Sequence, residues 1–161
     1  MDNTIFYLIG HPDLPRRAVA DAIAAVVTAR VIDAEDIYRP IFPLVDHKVA
    51  DMPDMVWEQI DVIRGAILRT IEMASPKDWN FVFIHAGFDI PADVGVYRTV
   101  RETARRRGAR FVPVRLIGGK SKRPLLTFDE AEAFDVDLGA MTPEAAAAAI
   151  LAKAGASPEA R

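Results

Sequence analysis

Thr4-Ile5-Phe6-Tyr7-Leu8-Ile9-Gly10-His11-Pro12-Asp13-Leu14-Pro15-Arg16-Arg17 is the stretch on which the fold turns. Residues 4–9 are aliphatic, aromatic or β-branched and stop at a glycine, as a short buried strand does. The loop 11–15 follows and holds two prolines, which cannot donate from their backbone nitrogen. From 16 to 29 an alanine-rich run with Val19, Ile23, Val26 and Val27 at helical spacing predicts a helix.

The same alternation continues down the chain. Residues 31–33 form a second short strand with Asp33 at its C-terminal end, and 37–53, with three prolines, read as irregular. A long helix is predicted over 54–73, where Val56, Trp57, Ile60, Ile63, Ile67, Leu68 and Ile71 recur at helical spacing. Strands follow over 81–84, 110–116 and 134–138, with a helix over 96–107 closed by Gly108. A last helix starts at the N-cap Thr142 with Pro143 in its first turn and runs to about Lys153. Parallel strands need crossovers, and right-handed crossovers place helices on both faces. The expectation is therefore an α/β protein, three layers α/β/α, with a five-stranded, mainly parallel sheet. Residues 1–154 are read as a single domain and 155–161 as a flexible tail. Ligands of such sheets bind beyond the carboxyl ends of the strands, here 10–17, 33–36 and 85–89.

Composition narrows the function classes. The 161 residues are 51% hydrophobic, enough for one full core, and contain no cysteine. Disulfides, thiolate chemistry and cysteine metal sites are thereby excluded, and a reducing, cytoplasmic compartment is expected. A net charge of -3 gives no global attraction to nucleic acid or membranes, and neither is expected as a partner. No metal site is expected, since His11, His47 and His85 lack ligand spacing. Ser75 and Ser121 lack a nucleophile elbow. The basic cluster Arg105, Arg106, Arg107 with Arg110 is read as a solvated helix end.

The segment Gly10-His11-Pro12-Asp13-Leu14-Pro15-Arg16-Arg17 aligns without a gap to the G-x-x-x-x-G-K-[ST] loop, and the chain resembles the P-loop kinases. The likeness extends to bacterial kinase-like proteins related to shikimate and nucleoside monophosphate kinases. It runs through Asp33-Ala34-Glu35-Asp36-Ile37-Tyr38-Arg39-Pro40-Ile41-Phe42, Val56-Trp57, Val62-Ile63-Arg64, Phe81-Val82-Phe83 and Arg106-Arg107-Gly108 before Phe111-Val112-Pro113-Val114. The resemblance implies the P-loop NTPase fold in its nucleotide-kinase form, with Mg-ATP as cofactor if the chain is active. It also implies a lid over the phosphates, of which Lys120, Lys122 and Arg123 are the remnant candidates. Asp33 and Glu35 match a carboxylate pair that holds magnesium and contacts substrate hydroxyls. His85 sits where such proteins place a polar group near the metal, so Asp33 and His85 are the catalytic candidates. Arg64 is a candidate for binding a substrate anion.

The departures fall on the chemistry. Pro15 replaces the second glycine, Arg16 the lysine, and Arg17 the hydroxyl residue that would hold magnesium, while Asp13 places a negative charge where phosphates belong. Between the fourth strand and the last helix the connection is too short for a helical lid. The expectation is a non-catalytic relative of small-molecule kinases that binds a small anion, a nucleotide or a protein partner in the cleft. An active ATP-dependent phosphotransferase with an unorthodox loop is the alternative. A homodimer using 45–57 or 128–134 as an apolar surface is also left open.

Overall fold

The computed structural model describes residues 1–45 and 52–155. The chain runs β1 (Thr4–Gly10), α1 (Arg16–Val27), β2 (Ala29–Asp33), α2 (Ala34–Tyr38), a 3-10 turn (Phe42–Leu44), α3 (Asp54–Met73), β3 (Asn80–His85), α4 (Pro91–Arg107), β4 (Arg110–Ile117), β5 (Phe134–Asp137) and α5 (Pro143–Lys153). The strands pair in the order β2-β3-β1-β4-β5, all parallel. Register is set by β1, whose Ile5 to Ile9 stand opposite Phe81 to His85 on one side and Phe111 to Arg115 on the other.

Burial on both faces explains the unbroken apolar run of β1. Its side chains alternate: Phe6 and Leu8 join Val19, Ala20, Ile23 and the α5 residues Ala146, Ala147 and Ile150. Ile5, Tyr7 and Ile9 join Leu68, Ile71, Tyr97 and Val100 of α3 and α4. A third cluster of Ile37, Val56 and Ile60, flanked by Tyr38 and Phe42, packs α2 on α3.

Several boundaries differ from the sequence reading. α1 stops at Val27 because Thr28 takes the left-handed conformation (φ 52°) and donates to Ala24 O, which frees Ala29 to pair with Asn80 in β2. α4 begins at Pro91, five residues earlier than predicted, because Pro91 is suited to a first turn and Val94 N donates to Ile90 O. The five-residue helix α2 was read as strand end and irregular chain. Asp33 starts it by accepting from Glu35 N at 3.1 Å. Arg107 is no solvated helix end: it is 4% exposed and its guanidinium donates to Asn3 Oδ1 and to the carbonyls of Ile71, Ser75 and Pro76. Of that cluster, Arg105 and Arg106 do face solvent, paired with Glu102.

Candidate functional site

The loop after β1 folds as two turns, both dictated by proline. Leu14 N donates to His11 O at 3.1 Å, a β-turn with Pro12 at the position proline favours. Arg16 N then donates to Leu14 O at 2.8 Å across Pro15, whose φ −76° and ψ 53° are those of an inverse γ-turn. Two of the loop's amides are therefore spent internally, and two positions have none. α1 begins without a side-chain cap and without an acidic residue in its first turn.

The connection after β4 closes on this loop. Asp13 Oδ2 accepts from Lys120 N at 2.7 Å, and this bond is the main reason its carboxyl is held below the usual range. His11 Nε2 donates to Arg123 O at 2.7 Å, which leaves the buried Nδ1 without a partner among the described residues. A side chain on Gly119 would meet Asp13 and His11, so its lack of a Cβ permits the approach. The guanidinium of Arg123 lies 4.0 Å from the centroid of Phe88. The lid-remnant candidates thus divide: Lys120 anchors through its backbone, Lys122 is exposed, and Arg123 turns toward the cleft.

Beyond the ends of β1, β2 and β3 lies a cavity of about 290 Å³. Arg16, Asp33, Glu35, His85, Asp93 and Arg123 supply its charged and titratable lining, with Tyr38 and Phe88 as aromatic walls. Arg16 is half-buried; desolvation lowers its pKa, and Asp33 and Glu35 oppose that shift. Neither Arg16 nor Arg123 has a carboxylate within ion-pair distance among the described residues, whose bridges use other arginines and His85. Arg17 points elsewhere: it binds Asp21 at 3.0 Å and lies 3.5 Å from Asp36 and 3.9 Å from Asp33.

His85 is fixed from both sides. Its Nδ1 is 3.0 Å from the hydroxyl of Tyr7, and its Nε2 is 3.5 Å from Asp93 Oδ1. Burial lowers its pKa to about 4, with Asp93 pulling upward and Arg64 and Arg16 downward, so the ring is neutral at pH 7. One proton satisfies everything: Nε2–H faces the carboxylate and Nδ1 accepts from Tyr7. Asp93 Oδ2 in turn accepts from Phe88 N at 2.7 Å. Both ring nitrogens are then engaged, and a general base needs a free lone pair at the substrate. Burial raises the hydroxyl of Tyr7 well above its ordinary pKa, so it remains a donor.

Arg64 is not brought to the cavity of Arg16. Its side chain is 11% exposed, pairs with Asp61, and reaches a small void beside Tyr7, Ile37 and His85. Tyr38, whose pKa burial raises and Arg64 opposes, lines the larger cavity. The sequence reading missed Tyr7 and Asp93, and it enclosed Phe88 in the strand end 85–89 and Tyr38 in the irregular 37–53 without naming either as a site residue. Asp93 carried a usable signal, an acidic residue two places after the helix-starting Pro91; Tyr7 read as a core apolar. Of the proposed apolar surfaces, Phe128 instead packs 5.1 Å from Tyr97, while 46–51, with His47, lie outside the described residues.

This strand order, with a loop and helix following the central strand and the site at the carboxyl edge, is the fold of the P-loop kinases. The structure is similar to a sugar kinase from a Janibacter species, with a TM-score of 0.63, 11% identity and 97% and 96% of the two chains covered. It is also similar to a gluconokinase from Sinorhizobium meliloti (0.59, 15%, 98% and 94%) and to shikimate kinase from Aquifex aeolicus (0.54, 11%, 94% and 96%). No family model and no curated protein matches the chain. Among the described residues, no helix is long and apolar enough to cross a membrane.

Proposed function

We propose that this chain is a non-catalytic relative of the small-molecule P-loop kinases that binds a small anionic polyol in the cavity of Arg16 and does not transfer phosphate. The observation that carries the reading is the state of the loop amides. A phosphate cradle needs N–H groups converging on one point. Here Pro12 and Pro15 have none, and those of Leu14 and Arg16 are turned onto carbonyls within the loop. Asp13 adds a carboxylate fastened to the closing segment, and Arg17, in the magnesium-ligand position, binds Asp21. These residues do not fit Mg-ATP.

The ligand class follows from the charged groups that line the cavity. Arg16 and Arg123 offer guanidinium donors to an anionic group. Asp33 and Glu35 offer acceptors to hydroxyls. The volume, about 290 Å³, suits a small molecule rather than a nucleotide. Among the similar folds, the sugar kinase and the gluconokinase make gluconate the first compound to try.

Calorimetric titration tests the reading. Mg-ATP is expected to give no binding heat, and gluconate to give binding that weakens about tenfold or more in Arg16→Gln, the loss of a charge-assisted contact. Tight, magnesium-dependent ATP binding lost in Arg16→Ala would overturn the reading in favour of a loop that still takes Mg-ATP.

A further inference from the structure

Helix α3 has two faces, and only one is used by the fold. Val56, Ile60, Leu68 and Ile71 are buried. On the opposite side Met55, Gln59, Val62, Ala66, Arg69 and Met73 follow one another at alternating spacings of four and three, and every one is exposed. Met55, Val62 and Met73 are 61%, 65% and 71% exposed, so a large part of the helix's apolar surface faces water. Spacing of this kind makes a straight seam along a helix about 30 Å long, with the small Ala66 near its middle.

Charge selects what covers the seam. Glu58 and Arg69 have no hydrogen-bond or ion-pair partner among the described residues. They are eleven positions apart, three helical turns to within about 20°, so both stand on the same side of the line from Met55 to Met73. Glu58 lies four residues before Val62 and Arg69 three beyond Ala66, nearly symmetric about the helix midpoint.

We infer that the outer face of α3 is a homodimer interface, formed by antiparallel pairing of α3 with α3 of a second copy about a two-fold axis. In that register Met55 meets the partner's Met73, Val62 meets the partner's Ala66, and each Glu58 meets the partner's Arg69. The same patch serves both copies, as a closed two-fold requires. Parallel pairing would carry this flank to the opposite side of the seam in the second copy, so that neither Glu58 nor Arg69 would meet the partner's opposite charge. The face lies away from the cavity of Arg16, so the inference is independent of the ligand reading.

Sedimentation equilibrium and light scattering on the whole chain, up to about 100 µM, test it at the low end of interface size, where association is weak. The unsubstituted protein is expected to dimerise reversibly, and Val62→Glu to be monomeric with an unchanged circular dichroism spectrum. Glu58→Arg and Arg69→Glu are each expected to weaken the dimer about tenfold or more by setting like charges together. The double variant Glu58→Arg/Arg69→Glu is expected to recover the original affinity within about threefold. A monomer at all concentrations, a dimer indifferent to Val62→Glu, or no recovery in the double variant would each overturn the inference.

Discussion

Acidification should weaken this fold through His85, and the size of the effect follows from its surroundings. The side chain is buried between Tyr7 and Asp93, and burial lowers its pKa from 6.5 to about 4. Between those values the unfolded chain binds a proton that the folded chain does not, so stability rises with pH. The contribution is fully present above about pH 6.5 and is lost as pH falls toward 4. At about 1.4 kcal/mol per pH unit, the whole interval amounts to about 3 kcal/mol. For a chain of this size that is about 6–12 °C in Tm. The comparison protein is His85→Gln, which can still pair with Tyr7 but does not titrate. Urea denaturation of both proteins at intervals from pH 7 to pH 4 gives the two stability curves. Surface groups such as Glu102, whose carboxyl Arg105 and Arg106 hold down to about 2, lose their contribution below about 4.5 in both proteins and cancel in the difference. The curves should diverge by about 3 kcal/mol. Parallel curves would refute the reasoning, because His85 would then titrate alike in the folded and unfolded chain.

Arg107→Met keeps an apolar stem over Phe81 but removes the donors to three carbonyls and Asn3, and should cost about 2–4 kcal/mol by urea denaturation. A loss below about 1 kcal/mol would mean that water replaces the guanidinium at no expense. Gly87→Ala should cost about 1–3 kcal/mol, because φ is +67° there and a Cβ would stand 2.5 Å from Ile9 Cγ2; an unchanged Tm would contradict that geometry.

Much of the site was legible from single positions, because chain chemistry acts locally there. Pro12 and Pro15 cannot donate wherever they stand, and the structure turns that lack into two closed turns. Arg16 and Arg17 read as equals in sequence, yet only Arg16 reaches the cavity. One step of the helix rotates Arg17 onto Asp21, and α2 brings Asp36 to it. Tyr7 was indistinguishable from its apolar neighbours, since its hydroxyl finds His85 only through the pairing of β1 with β3. Arg107 looked like part of a charged helix end until the end of α3 supplied its carbonyl acceptors.

By itself the sequence determined the elements and their layering: apolar runs buried on both faces, helical spacings between them, and parallel pairing forced by the crossovers. It also determined that the loop after β1 lacks the lysine, the hydroxyl and the second glycine of a phosphate cradle. Only the tertiary structure decided which charges remain unpaired. That depends on groups far apart in the chain, as when Asp13 accepts from the backbone N–H of Lys120 and Arg123 turns over Phe88 beside Arg16. Local pattern carries no information on such distances, because chain reversals set them and not the period of a helix or a strand.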